Sequence, residues 1–559
     1  MAWASIKNVK DIVKGAAADK IKDLDIFSGV QVGENIYAAD GNNDVVPLIA
    51  GSNMNIQATS EGIEFSASGS GGGGEGGSKI TITTRNTEFY GQTVTITKGS
   101  DSLSGTFNAS GKAVFNGVIL TGTLTVACGS TSRTIDVPYY GNYTFELTGK
   151  LYGFSVDSSV SDPTSAVSYQ VTYDGRQVDN YSYTPAYMDF SGGTFNSGSW
   201  DLEDDFFIPK PCMVKYDGSV DYYLDPDDYT KKADGVTASD VANLNYGGNA
   251  MMEWGRDGQK IWYAVIPDTS DPTKYTVLIS NQQIDSNFHC WPFYDANDRQ
   301  IDHFYTAIYE GYVNNSVLRS ISGVKPTSGI AGANEIAYAK ANNQNSGHEW
   351  YITQYADRVL INILLVLISK SLDTQTKFGT GNYTDGSSES SLLTQGLAND
   401  KGLFFGTNGN GVVKVFGMEN YYADRWERCA GYSLDSGVIK YKLTYGTADG
   451  STGTGFVESD SAPSGYLTGP SIATNLSAAY VTKMTAYANG AILPSAFGGL
   501  SSTYYCDAVW SASGVRFGRV GGACAHGAAC GAFALAVNCA LSYSDWGVGA
   551  SLSLKPLAS

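Results

Sequence analysis

Cys506, Cys524, Cys530 and Cys539 crowd the C-terminal end of the chain. Thiolates act as nucleophiles or metal ligands, and each role makes a demand that spacing can test. A zinc site needs CxxC-like pairs. Here successive cysteines are 18, 6 and 9 residues apart and no CxxC occurs. A nucleophile needs a base; His526 is two residues from Cys524, but neighbours on an irregular loop rarely face each other. Cys128, Cys212, Cys290 and Cys429 read as buried structural thiols. His289, His303 and His348 are scattered, with no HxxxH spacing or carboxylate partner, and read as structural histidines. The run Asp225-Pro226-Asp227-Asp228 lacks the EF-hand loop pattern and reads as a solvated acidic turn. No P-loop, GxSxG or helix-opening GxGxxG is present, and GTGTG at 452–456 reads as a loop. No catalytic residue, metal or cofactor is expected.

The stretch Trp510–Lys555 is different in kind. Its recurring frame is Ser513-Gly514, Arg516, Arg519, Gly521-Gly522, Gly527, Gly531-Ala532-Phe533, Asn538, Ser542, Trp546, Gly549-Ala550 and Leu552. Between these lie Ala, Cys, His, Leu, Val, Tyr and Asp, with no helical or strand period. Glycines let a loop fold without help from side chains, and Phe533, Trp546 and Leu552 are expected to anchor it from behind. The interleaved side chains are then free to vary. That is the physical logic of a binding surface on a rigid scaffold.

The elements that must position this loop are mostly strands. Across 559 residues the chain carries a net charge of −19, with only 16% charged residues, 66 glycines and 37 tyrosines. The charge argues against nucleic acid or an anionic membrane as partner, and the composition against a helical protein. The start, MAWASIKNVKDIVKG, has no apolar h-region, so no secretory signal is expected. Residues 1–28 space apolar residues as a helix does, either a surface helix or one that docks and trimerises. Met54–Gln57 and Ile63–Ser66 flank a Ser-Glu-Gly turn. Residues 69–78 form a Gly-rich linker, which sets 1–68 apart as an attachment or trimerisation segment. Residues 79–149 alternate apolar and polar positions with frequent turns, which predicts a small β-sandwich, either a spacer or a carbohydrate-binding module. From 150 to 559 no second linker of that kind occurs, and one apolar helix is expected over roughly His348–Leu372. The fold class expected is mainly β with one principal helix, in an α+β C-terminal domain.

Three stretches resemble known families. The PLIAGSNMNIQATSEGIEFSAS run resembles strands that intertwine in phage fibre proteins, and 79–149 looks like the immunoglobulin-like spacers of phage tails. VVKVFGMENYYADRWERCAGY, residues 412–432, resembles the GxENxxGNxWEW signature of the C-type lectin fold in its formylglycine-generating-enzyme-like branch. The frame above resembles the variable repeat of diversity-generating retroelement target proteins, here at about 504–552. Ser551 departs from it, standing where Arg is common. The resemblance implies a hypervariable, non-enzymatic binding surface at the tip of a phage tail fibre, adsorbing to a protein or glycan receptor on a bacterium. It implies a virion protein made in the host cytoplasm, a homotrimer joined to other tail proteins through its N-terminus, with no membrane insertion. The ligand-binding positions it implies are Cys506, Asp507, Val509, Ser511, Ala512, Phe517, Ala523, Cys524, Ala525, His526, Ala529, Ala534, Leu535, Ala536, Val537, Cys539, Tyr543 and Asp545. Arg516, Arg519, Gly521, Gly522, Gly527, Gly531, Phe533, Trp546 and Gly549 are then scaffold. The competing readings are a formylglycine-type oxidase using a Cys pair, a glycan depolymerase, and a head-decoration or cell-surface display protein.

Overall fold

The computed structural model describes residues 77–558 apart from 85–88, 130, 138–139, 148–149, 174, 256–257 and 447–465, plus the backbone of four short upstream strands. The helix expected over 1–28, nearly all of the Gly-rich linker and the GTGTG loop lie outside the described residues. Met54–Thr59 and Gly62–Ala67 pair antiparallel, with Ile56 opposite Phe65, as the turn between them predicts. The chain divides into two compact units, residues 1–83 with 89–147, and 84–88 with 148–559.

In the first unit, most of the described strands within 79–149 alternate as read from the sequence, whereas Ser78–Thr83 buries Ile80, Thr81 and Ile82 in succession. Lys112–Val118 buries Ala113, Phe115 and Val118 between exposed neighbours. The pattern follows from the two-residue repeat of a strand that has one face covered. A four-stranded and a three-stranded sheet result. Both contribute to one core, which contains Ile80, Ile96, Phe115, Val126 and Ile135.

In the second unit strands again dominate. A six-stranded sheet runs Val220–Tyr223, Lys210–Lys215, Gly248–Trp254, Phe304–Ala307, Leu552–Pro556, His348–Ile352 in spatial order. Its strand Leu552–Pro556 lies between two strands 200 or more residues upstream, so the C-terminal segment is an interior part of the fold. A nine-stranded sheet carries the strand Trp426–Asp435, buried along nearly its whole length, beside Val515–Val520.

The principal helix, α1, spans Tyr355–Ser369. This corrects the sequence expectation at its start. His348–Ile352 is a strand paired with Leu552–Pro556, and Ile352, expected on the helix, faces Leu552 across the ladder. Local apolar spacing cannot distinguish the two, because the deciding partner is distant in sequence. Asp357 in its first turn is buried in a pair with Lys555. Fourteen of the fifteen α1 residues are buried, as a helix whose body from Val359 to Ile368 is apolar but for Asn362 requires. The exception is Asn362, whose amide donates to the Ala532 carbonyl at 2.8 Å and accepts from the Tyr421 hydroxyl at 2.9 Å. The one polar break in the apolar run thus ties the helix to the Gly-rich loop. No helix among the described residues is long and apolar enough to cross a membrane.

Candidate functional site

The Gly-rich stretch is less irregular than its sequence suggests. It supplies four strands, Ala508–Ser511, Val515–Val520, Leu535–Val537 and Val548–Gly549, to the nine-stranded sheet. Val509 pairs in parallel with Leu535, and Arg519 pairs antiparallel with Ala536. Strands covered on both faces show runs of small and apolar residues instead of alternation, which hides the period.

Residues 521–534 leave the sheet and return. Backbone bonds hold this loop: Gly521 N–H donates to Ala534 O at 3.1 Å, and Gly531 N–H to Gly521 O at 3.2 Å. The buried Asp507 carboxylate accepts from the Phe533 N–H at 2.7 Å. Gly522 sits at φ +90°, and a Cβ there would collide with Cys530. Gly531, at φ +148°, leaves no room for a Cβ against Asp507. Phe533 is half-buried and meets Tyr505 edge-on at 5.4 Å.

The chain then builds a cleft of about 270 Å³. Seven expected binding positions line it: Ala523, Ala525, His526, Ala536, Cys539, Tyr543 and Asp545. Four scaffold-type aromatics and polar residues complete it, Trp426, Trp510, Asn538 and Trp546, together with Arg519, Gly547 and Val548. The rings of Trp426 and Trp510 meet edge-to-face at 5.2 Å, and His526 packs on both, at 5.5 and 4.9 Å. Ala523 and Ala536 are buried in the wall with Trp426 and Val548, whereas Ala525 and Tyr543 are exposed.

This placement corrects part of the expected site. The side chains of Cys506, Asp507, Val509, Ser511, Phe517, Cys524, Ala529, Ala534, Leu535 and Val537 are buried. None of them lines the cleft. Ala512 is half-exposed but does not line the cleft. Among the scaffold residues, Gly521, Gly522, Gly527, Gly531 and Gly549 are buried in turns or close approaches, and Arg516 is half-exposed on its strand. Arg519 and Trp546 line the cleft and do not stand behind it. Leu552 is buried, as expected of an anchor.

The stretch Asp424–Arg428 proves to be the loop's buried support. Arg425 donates to Ala550 O at 2.9 Å and faces Glu310 at 3.6 Å. Arg428 pairs with Glu335 and also donates to the Tyr543 carbonyl. Glu427 accepts from the hydroxyls of Ser551 and, at 3.3 Å, Thr353. Ser551, the departure from the family frame, therefore makes a buried hydrogen bond of its own. The sequence reading treated this stretch as a fold signature and missed Trp426 and Trp510 as cleft walls. Their shared aromatic character was the available signal, but 84 residues separate them.

Burial sets the electrostatics. His526 is pushed below the ordinary histidine value by desolvation, so its ring is neutral at pH 7. Burial also pushes the Cys524 and Cys530 thiols up, which disfavours thiolates. Cys128, Cys212, Cys290 and Cys429 are all buried and free, in line with their reading as buried structural thiols. Among the described residues no group of three or more His, Cys, Asp or Glu could hold a metal ion. A larger cleft of about 800 Å³, walled partly by Phe195, Tyr223 and Phe404, contains none of the expected binding positions. No protein-family model matches the chain, and no curated protein matches it either.

Proposed function

We propose that this chain is a receptor-binding protein whose cleft presents interchangeable side chains to a bacterial surface ligand, a diversity-generating retroelement variable protein on a phage tail. The observation that carries the reading is convergence. Seven positions that the repeat frame marks as changeable, spread over residues 523–545, line one cleft whose backbone is fixed by glycines and main-chain bonds. Such a surface can change its side chains while its fold is kept. The C-type-lectin resemblance and the trimeric fibre arrangement belong to the same proposal, and three copies would add avidity. The test lies in the surrounding DNA. A near-copy of the codons for 504–552, differing at adenines and adjacent to a reverse-transcriptase gene, supports the reading. A locus with neither contradicts it.

A further inference from the structure

Arg519 is 6% exposed, yet its guanidinium lacks a carboxylate partner. One Nη donates to Asn538, while Nε is buried with no hydrogen-bond partner. The group lies over the Trp426 ring at 5.7 Å and the Tyr543 ring at 5.4 Å. Other buried guanidinium groups in this unit differ in their partners: Arg428 pairs with Glu335, Arg425 faces Glu310, Arg319 donates to the Tyr246 and Gly248 carbonyls, and Arg358, also without a carboxylate, donates to the Tyr421 carbonyl and leaves Nε and Nη2 unpartnered. Arg428 also adds positive charge near Arg519. Asp545 shares the lining and attracts the guanidinium, but forms no ion pair with it. An arginine stays charged even where burial opposes it, and this one lines the cleft, where an acceptor brought by a ligand would reach it. Nearby, His526 Nδ1 is likewise buried and unpartnered.

We propose that the cleft binds a carboxylated sugar, a uronic-acid residue, with its carboxylate on Arg519 and one face of its ring against the Trp426–Trp510–His526–Tyr543 wall. This rests on the cleft being the ligand site. Guanidinium groups recognise carboxylates through a planar fork of donors. The small lining residues Ala523, Ala525 and Ala536 leave a space for a single rigid ring, smaller than the usual pocket for a drug-sized ligand. An extended peptide docks by adding to a sheet edge or by laying several side chains in a longer groove, and a cleft of about 270 Å³ holds a single ring more readily than several side chains.

The test is titration of the full chain with galacturonate, galactose and a hexaglutamate peptide, followed by calorimetry. Galacturonate is expected to bind at least about tenfold more tightly than galactose, equivalent to about 1.4 kcal/mol. Arg519→Gln is expected to abolish the difference. Ala525→Glu, which sets a carboxylate at the exposed mouth, is expected to do so with unchanged melting, and it decides the matter if Arg519→Gln does not fold. Equal affinity for the two sugars, no saturable galacturonate binding, or preference for hexaglutamate overturns the proposal. Adsorption of cleft-swapped protein to cells reads the display role separately, and it responds to the swap even if no uronate binds.

Discussion

Replacing Gly522 by alanine tests whether the loop is held by its backbone. At φ +90° an L-residue is strained, which costs about 1–2 kcal/mol. The new Cβ would also overlap the Cys530 sulfur, and lies 2.8 Å from Cys530 Cβ and 3.0 Å from its Cα. Overpacking of this kind costs about 1–3 kcal/mol, so the expected loss is about 2–5 kcal/mol. Cys530→Ala removes the nearest atom. The double variant should therefore lose less than the sum of the single losses, with a coupling of about 1 kcal/mol or more. Eight of the nine tryptophans lie between residues 200 and 546, so urea unfolding followed by tryptophan fluorescence reports this unit. A Gly522→Ala protein within about 0.5 kcal/mol of wild type, or strict additivity with Cys530→Ala, would refute the reasoning.

Other consequences are open to measurement. Lys555 and Asp357 form a buried pair at 2.5 Å, so Lys555→Met alone should cost about 3–5 kcal/mol, and much of this should return in Lys555→Met with Asp357→Asn. Denaturation midpoints that match for the single and double variants would count against this. His526 is depressed below its unfolded value, so the unfolded chain binds more protons below about pH 6.5 and the group costs stability as pH falls through that window. The stability of His526→Gln relative to wild type should accordingly rise between pH 7 and 5.5; a flat difference would exclude that linkage. Asp507→Ala leaves the Phe533 N–H without its acceptor and should destabilise by about 1–3 kcal/mol in chemical denaturation. Tyr543→Ala removes an exposed ring, and should leave melting within about 1 °C while weakening receptor binding.

What could be read in the sequence divides along physical lines. The Met54–Ala67 hairpin, the alternating strands of 79–147 and the body of α1 depend on local periodicity, and each is found. His348–Ile352 was out of reach, since its strand character comes from a partner at the far end of the chain. The burial of Val509, Leu535 and Val537 was hidden for a related reason: two-sided burial erases alternation. Of the site, the frame glycines were legible, whereas the seven cleft-lining positions were named only among eighteen, and no spacing separates them from the ten that lie buried elsewhere. The joining of Trp426 to Trp510, the support given by Arg425 and Arg428, and the unmatched charge of Arg519 are products of tertiary packing that no spacing rule encodes.

The proposed display role is tested most directly by exchanging Ala525, His526, Cys539, Tyr543 and Asp545 together for a different set of small and aromatic residues. Adsorption of the purified chain to the original host's cells is then compared with wild type. These residues are exposed or half-exposed, so the melting temperature should hold within about 2 °C. Adsorption should fall at least about thirtyfold, the equivalent of about 2 kcal/mol for one lost hot spot. Undiminished adsorption by a well-folded swapped protein would contradict the account and place recognition elsewhere in the chain.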